Sequence, residues 1–202
     1  MRLVFVRHGE SEASQSGEFS TRGLRHPLTT SGRSEVRNLG ESLRSQGVTQ
    51  LLHSPLLRAV ETASILGEIL GVEPVEEPAL TEGDVGDLEG QDYFANRAQF
   101  ESVVASWLDG DLAEGFAGGE TGLAIVDRFG RLLKRLRTQG TDADVIVLVS
   151  HGTAMRTALP RILTGLSTTA AQVQLGATES VVAELVNRRF VARRWGRVEI
   201  DG

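Results

Sequence analysis

Two continuous apolar segments, each followed by a histidine and a glycine, constrain the fold of this chain more than any other feature. Residues 3–6 read Leu-Val-Phe-Val and are followed by an Arg-His-Gly step that contains His8. Residues 145–149 read Val-Ile-Val-Leu-Val and are followed by a Ser-His-Gly step that contains His151. Uninterrupted apolar runs of this length are typical of strands buried on both faces of a parallel sheet. If the strands are parallel neighbours, both histidines face one crevice at the carboxyl edge of the sheet, where α/β proteins bind ligands.

Helical and extended segments alternate along the rest of the chain. Apolar residues at helical spacing predict helices over residues 30–46 and 121–138, and a short helix after Gly152 that is interrupted near Pro160. A further helix is predicted to open at Ser54 and Pro55, as N-cap and first-turn proline, and to run towards Gly71.

The C-terminal part is predicted to form two strands, over residues 180–186 and 190–195, joined by a turn at Asn187-Arg188. Strand–helix alternation that ends in a hairpin predicts an α/β fold with a mixed sheet.

With 202 residues and 40% hydrophobic residues, the chain fits one domain, residues 1–202, with a large core. Residues 91–118 show less regular patterning and are interpreted as an insertion that lies over the crevice. Half of the aromatic residues fall there: Tyr93, Phe94, Phe100, Trp107 and Phe116. They suit an organic phosphate with apolar or sugar surface, or equally a small satellite core.

Net charge, cysteine content and the length of the apolar segments argue against several classes of partner and cellular location. A net charge of -6 argues against non-specific nucleic-acid binding, which needs a basic surface. There is no cysteine, so thiolate chemistry and disulfides are excluded. No segment has the length or apolarity of a membrane span or of a signal-peptide core, so we expect a cytoplasmic protein without a membrane partner. The sequence leaves the oligomeric state open, a homodimer included.

The residues around His8 suit phosphoryl transfer, which needs a nucleophile, cations for the non-bridging oxygens and an acid for the leaving oxygen. A neutral imidazole can attack phosphorus. Arg58 is expected in the first turn of a helix, where backbone N–H groups already favour an anion. The alternatives are ordinary: a polar end of a strand for His8, and a solvated surface arginine for Arg58.

Taken together, six segments in this order and spacing resemble the histidine phosphatase superfamily, also called the phosphoglycerate-mutase-like family. They cover nearly the whole chain: Arg7-His8-Gly9-Glu10-Ser11; Pro27-Leu28-Thr29 with Gly32; Ser54-Pro55 with Arg58, Thr62 and Ala63; Glu82, Gly86, Glu89 and Gly90; Gly118-Gly119-Glu120 with Arg128; and Ser150-His151-Gly152.

The resemblance implies a three-layer α/β/α sandwich with a mixed, mostly parallel sheet, and a site without a metal or another cofactor. It implies that His8 is the phosphorylated nucleophile and that Glu82 is the general acid that later helps to activate water. Arg7, Arg58 and His151 are implied to form the cationic pocket around the phosphoryl group. Many relatives carry asparagine where this chain has Ser14, whose shorter side chain is expected to reach phosphate through water.

Within this family the sequence favours a phosphatase of a small phosphomonoester over a phosphoglycerate mutase. Mutases of the family typically carry Arg-His-Tyr-Gly directly after the catalytic glutamate, whereas Glu82 is followed by Gly-Asp-Val-Gly. Asp84 and Asp87 are expected at the rim, where they would repel a trianionic phosphoglycerate. A non-catalytic phosphate-binding or interaction domain is the third reading, and it predicts the loss of at least one of the five catalytic residues; all five are present.

Overall fold

The computed structural model of the protein describes residues 1–166 and 172–200. Within these ranges, seven strands form one sheet in the order β3-β2-β4-β1-β5-β6-β7. The strands are β1 (Arg2–Arg7), β2 (Gln50–His53), β3 (Pro74–Glu76), β4 (Val145–Ser150), β5 (Ser180–Val186), β6 (Arg189–Trp195) and β7 (Val198–Glu199). Strands β1 to β4 run parallel, and β5 to β7 add antiparallel pairs on the other side of β1. The sheet is therefore mixed, as predicted.

Helices cover both faces of this sheet. They are α1 (Glu12–Ser16), α2 (Thr30–Leu43), α3 (Leu57–Leu70), α4 (Tyr93–Asp109), α5 (Gly122–Gln139) and α6 (Gly152–Ile162), with 3₁₀ turns at Arg44–Gln46, Pro78–Leu80 and Gly86–Leu88. One core cluster joins α2 and α3 to one face of β1 and β4. The other joins α4, α5 and α6 to the opposite face. Each central strand is thus buried on both faces, and the three-layer α/β/α prediction is confirmed.

The two central strands place the two histidines at one edge. Strands β1 and β4 are parallel neighbours, with Val6 opposite Val149 and Arg7 opposite Ser150. His8 and His151 are the first residues after these strands, so the backbone leaves the sheet at neighbouring positions and brings the two histidines together. The prediction that both histidines lie at the carboxyl edge of a parallel pair is confirmed.

The start of α3 differs from the prediction. The helix begins at Leu57, and Leu56, in extended conformation, is its N-cap residue. Ser54 is therefore not the cap, and Pro55 precedes the first turn. The hydroxyl of Ser54 is already engaged, because it bonds the backbone N–H of Leu56 and the ring of His151. Arg58 still lies in the first turn, as expected.

Residues 91–118 are more regular than predicted, because α4 occupies most of this segment. Its apolar side chains are spread around the helix, so the segment lacks the one-sided pattern that identifies a surface helix from sequence. Asp92 caps the helix and accepts a hydrogen bond from the backbone N–H of Ala95. Trp107 and Phe116 are buried in the main core.

The predicted C-terminal hairpin is confirmed. Strands β5 and β6 are joined at Asn187 and Arg188, which both adopt positive φ angles, as a tight two-residue turn requires. Helix α6 contains Pro160 and ends at Ile162. Among the described residues, no helix combines the length and apolarity that crossing a bilayer requires.

Candidate active site

His8 lies at the end of β1, buried and held by two hydrogen bonds. Its Nδ1 is 2.7 Å from the carbonyl oxygen of Gly9, so Nδ1 carries the hydrogen and donates it. Its Nε2 accepts a hydrogen bond from Nε of Arg58 at 3.0 Å. These partners select one neutral tautomer, which presents the Nε2 lone pair. Burial, and then the positive charges of Arg58 and Arg7, hold the pKa of His8 well below its ordinary value of 6.5.

Two arginines beside His8 make the site cationic. Arg58 is buried, and this burial lowers the pKa of its guanidinium to about 10, so it stays charged at neutral pH. Arg7 donates from Nη1 to the carbonyl oxygen of Leu175 at 2.5 Å. Burial lowers the pKa of Arg7 as well, and the negative charge of Glu82 opposes that shift. Arginines are suited to bind tetrahedral anions through two donors each.

His151 is fully buried next to His8, and the centroids of the two rings are 5.0 Å apart. Its Nε2 lies 2.7 Å from the hydroxyl oxygen of Ser54. Its Nδ1 is buried and has no hydrogen-bond partner among the residues that the structure describes. Burial, and then the charge of Arg58, lower the pKa of His151 well below 6.5, so its ring is neutral.

Glu82 reaches the site from the loop that precedes the Gly86–Leu88 turn, and its carboxylate lies at the N-terminus of α6. Oε1 accepts from the backbone N–H of Ala154 at 2.7 Å and of Gly83 at 2.9 Å. Oε2 accepts from the backbone N–H of Thr153 at 3.2 Å. The free N–H groups of the first helical turn therefore fix a carboxyl group at the same edge as the two histidines.

The loop that carries Glu82 is held from behind by Arg128 on α5. The Arg128 guanidinium donates to the carbonyl oxygens of Ala79 and Glu82, and it forms an ion pair with Glu120 at 3.1 Å. Glu120 in turn accepts from the backbone N–H of Asp84. The segment 118–120 and Arg128, which the sequence singled out without a role, thus support the backbone around Glu82.

These residues surround one cavity of about 430 Å³. Arg7, His8, Ser14, Arg58 and Glu82 all line it, and His151 is buried beside it. The predicted residues are therefore brought together from four distant parts of the chain. Ser14 is exposed, and its hydroxyl lies 3.2 Å from that of Ser11.

The sequence reasoning missed the side chains that α6 adds to the cavity. Thr153 and Arg156 line it together with Gly152. Arg156 lies four positions after Gly152 and three after Thr153, so it shares a helix face with both, and helical spacing counted from the Ser-His-Gly step would have found it. Burial lowers the pKa of Arg156, and the charge of Glu82 opposes that shift.

An aromatic wall, formed by Phe19, Tyr93, Phe94 and Phe100, closes the opposite side of the cavity. Tyr93 contacts each of the other three rings, with centroid distances of 5.5 to 5.8 Å. Phe94 is the outermost, with 72% of its surface exposed. The aromatic residues of 91–118 therefore divide between the core and this wall.

The expectation for the two aspartates was wrong. Asp84 forms an ion pair with Arg22 at 2.9 Å, and neither Asp84 nor Asp87 lines the cavity. Arg25 likewise pairs with Glu18 and Glu89 at the surface. Because a cation from a distant loop offsets the charge of Asp84, these carboxylates do not exclude an anionic substrate.

The arrangement supports covalent transfer of a phosphoryl group. It presents a neutral imidazole with its lone pair on Nε2, two arginines beside it and a carboxyl group that lines the same cavity. Over residues 1–166 and 172–200, no group of three or more His, Cys, Asp and Glu side chains is placed to hold a metal ion.

Comparison with known proteins gives a family match over nearly the whole length. The model of the histidine phosphatase superfamily (branch 1) matches residues 3–198. The chain is 30% identical to glucosyl-3-phosphoglycerate phosphatase of Mycolicibacterium vanbaalenii, over 82% of this chain and 75% of that protein. It is also 30% identical to a 2,3-bisphosphoglycerate-dependent phosphoglycerate mutase of Parvibaculum lavamentivorans, over 95% of this chain and 94% of that protein.

The fold is also similar to that of solved structures over nearly the whole chain. A mycobacterial glucosyl-3-phosphoglycerate phosphatase in complex with VO3 superimposes with a TM-score of 0.84, covering 98% of this chain and 99% of the other at 22% identity. Phosphatases and mutases thus both occur among the similar proteins.

Proposed function

The chain belongs to branch 1 of the histidine phosphatase superfamily, and we propose that it is a metal-independent phosphatase that hydrolyses a small phosphomonoester through a phosphohistidine at His8. One observation carries the proposal. His8 is buried in the neutral tautomer that presents Nε2, with Nδ1 tied to Gly9 and the cationic Arg58 at the reactive nitrogen. Burial, and then the nearby arginines, keep this histidine neutral, so that it can act as a nucleophile next to the groups that bind the phosphoryl anion.

In the first step, the phosphoryl group of the substrate binds to Arg7, Arg58 and His151. Nε2 of His8 attacks phosphorus, the N–P bond forms, and the bond from phosphorus to the ester oxygen breaks. Glu82 gives its proton to that oxygen, and the alcohol leaves. The hydrogen on Nδ1 stays bonded to the carbonyl oxygen of Gly9 throughout, so the imidazole keeps its orientation.

In the second step, water takes the place of the alcohol. The carboxylate of Glu82 accepts a proton from this water as its oxygen attacks phosphorus, the N–P bond breaks, and inorganic phosphate and neutral His8 result. Glu82 therefore acts as acid and then as base at one position. Its location at the start of α6, held by three backbone N–H groups, keeps it at that position in both steps.

Hydrolysis is preferred to mutase chemistry because of the residues directly after Glu82. Gly83 and Val85 line the cavity there, and they offer no charge for a second anionic group. Gly83 is packed so closely that a Cβ there would lie 2.9 Å from the side chain of Ile125. A basic sequence of the mutase type is thus absent, and any side chain at position 83 would require the terminal methyl group of Ile125 to shift. The mutase similarity over 94% of the relative's length makes mutase activity the alternative to test.

The cavity is larger than a phosphate alone requires, and its far wall is aromatic. A volume of about 430 Å³ falls within the range of small-molecule sites. We assign the wall of Phe19, Tyr93, Phe94 and Phe100 to the organic part of the substrate. The candidate substrates are therefore phosphomonoesters with an apolar or sugar face, among them the glucosyl-3-phosphoglycerate that the mycobacterial relatives are named for.

The test is a phosphatase screen in the presence of EDTA, with p-nitrophenyl phosphate and a panel of metabolite phosphomonoesters. We expect hydrolysis that EDTA does not inhibit and that His8→Ala abolishes. His26→Ala serves as the control, since the side chain of His26 does not line the cavity and contacts it only through Glu18, so most of the activity should remain. Full activity in His8→Ala, or faster interconversion of 2- and 3-phosphoglycerate than hydrolysis, would overturn the proposal.

A further inference from the structure

Ser54 bonds directly to His151, although the two lie 97 positions apart in the chain. The hydroxyl oxygen of Ser54 is 2.7 Å from Nε2 of His151, and both side chains are fully buried. Ser54 follows β2, which pairs with β4, so the sheet itself brings this serine to the histidine. The N-cap position expected for Ser54 is occupied by Leu56, whose side chain forms no capping hydrogen bond, and the hydroxyl of Ser54 reaches His151 instead.

The direction of this hydrogen bond follows from the second partner of Ser54. The backbone N–H of Leu56 donates to the same hydroxyl oxygen at 3.3 Å. A hydroxyl has one hydrogen to donate. Among the described residues, Nε2 of His151 is the acceptor within reach, and the opposite orientation would leave a buried hydroxyl hydrogen unpaired. Ser54 therefore donates, and Nε2 of His151 accepts.

An accepting Nε2 determines the rest of the ring. Because His151 is neutral, its hydrogen must be on Nδ1. That Nδ1 is the buried atom without a partner among the described residues, and its ring lies 5.0 Å from the ring of His8. The structure thus contains, on the ring that neighbours the ring of His8, a buried N–H group that no protein atom of the described segments satisfies.

We propose that Ser54 is a positioning residue that holds His151 in the Nδ1–H tautomer, so that this N–H donates to an oxygen of the phosphoryl group during transfer to and from His8. The inference rests on the proposed function, because it assigns a task within that reaction.

In this proposal the two histidines have the same tautomer but different roles: His8 is the nucleophile and His151 is a hydrogen-bond donor. Both carry their hydrogen on Nδ1. In His8 the carbonyl oxygen of Gly9 accepts this hydrogen and Nε2 is left to react. In His151 the hydroxyl of Ser54 occupies Nε2 and the Nδ1–H is left to donate. The identity of the partner, a carbonyl acceptor in one case and a hydroxyl donor in the other, decides which ring is nucleophile and which is donor.

The direct test is the tautomer of His151, read from the ¹⁵N chemical shifts of histidine-labelled full-length protein; the chain has four histidines, so single substitutions assign the signals. In the unsubstituted protein we expect a protonated Nδ1 and an unprotonated Nε2. Ser54→Ala should shift the signals towards the Nε2–H form, which a free imidazole side chain prefers, and Ser54→Thr should restore the original pattern. An unsubstituted protein with hydrogen on Nε2, or a pattern unchanged in Ser54→Ala, would refute the inference.

A matched control distinguishes this effect from the loss of any buried hydroxyl. Ser150 is as buried as Ser54 and donates to the carbonyl oxygen of Leu80 at 2.7 Å, so Ser150→Ala should leave the tautomer of His151 unchanged.

The kinetic consequence is a lower rate of the chemical step. Ser54→Ala should reduce kcat for p-nitrophenyl phosphate about 10- to 100-fold, the effect known for partners that orient metal-binding histidines, and Ser54→Thr should recover most of it. A tautomer change without a loss of kcat would refute the role in transfer. If the unsubstituted protein hydrolyses no phosphomonoester, the proposed function fails, while the NMR measurement still decides the tautomer.

Discussion

Acidification should destabilise this protein well before its carboxylates are protonated, because His8 and His151 are both buried in neutral form. Burial and neighbouring arginines hold the pKa of each ring well below 6.5 in the folded state. In the unfolded chain the same rings return to the ordinary value near 6.5. Between these two values the unfolded state binds more protons than the folded state, so the free energy of unfolding falls as the pH falls.

The size of the effect follows from proton linkage alone. At pH 5.5 an unfolded histidine is about 90% protonated, while a ring with a much lower folded pKa stays neutral. Lowering the pH from 7 to 5.5 then removes roughly 1 kcal/mol for each histidine, and about 2–3 kcal/mol for the pair. The sign is that of a base with a depressed folded pKa: its stabilising contribution is complete above pH 6.5 and is lost below it.

Urea unfolding at a series of pH values between 7 and 5.5 measures this slope, provided that the m-value stays constant. His151→Gln should remove about half of the slope and His8→Gln the other half, whatever each substitution does to stability at pH 7. Gln99→Ala, on the exposed side of α4, should keep the full slope. A double substitution His8→Gln/His151→Gln with an undiminished slope would show that other groups titrate and that the two rings are not kept neutral by burial.

Further expectations concern the acid, the arginines and the cavity wall. Glu82→Gln should slow the hydrolysis of alkyl phosphates much more than that of p-nitrophenyl phosphate, because the nitrophenolate leaving group needs no acid. Equal losses of rate would show that Glu82 is not the general acid. Arg58→Ala should lower kcat by a factor on the order of 10²–10³, and a loss under tenfold would show that Arg58 does not stabilise the transition state. Phe94→Ala should reduce kcat/KM about three- to tenfold for benzyl phosphate but little for ethyl phosphate, with Leu123→Ala, exposed on α5, as the control. Arg128→Ala should lower the free energy of unfolding by about 1–2 kcal/mol in urea titrations, because it leaves partly buried carbonyl and carboxylate partners unpaired.

The sheet edge could be predicted from the sequence because its signal is local. A strand buried on both faces must be apolar throughout, so residues 3–6 and 145–149 stand out, and each run ends at the residue that leaves the sheet. The position of His8 and His151 needed no further information once the strands were taken as neighbours. Strand pairing confirms that step directly, with Arg7 opposite Ser150.

The features that were missed depend on partners far away in the chain. Asp84 looked like a repulsive rim charge because its partner Arg22 lies 62 positions earlier and carries no local sign of the pairing. Ser54 was predicted to cap a helix for the same reason, because a serine that precedes a proline and a helix has the sequence pattern of an N-cap. Its hydroxyl is instead hydrogen-bonded to His151, which is 97 positions away. Sequence patterns identify which elements form, but the use of a polar side chain is settled by the element that packs against it.

The two halves of the cavity come from different parts of the fold, and this separation has a consequence for specificity. The phosphoryl half is built from the ends of β1 and β4 and from the first turns of α3 and α6, all of which are fixed by the buried sheet. The other half is formed by α4 together with Phe19, and these aromatic side chains line the cavity but have no part in the bond changes of the proposed mechanism. Substitutions on the cavity face of α4 should therefore change which phosphomonoester is preferred while leaving the rate of phosphohistidine formation from a small substrate nearly constant. A variant of Tyr93 or Phe94 that slowed ethyl phosphate as much as benzyl phosphate would show instead that α4 contributes to the chemical step.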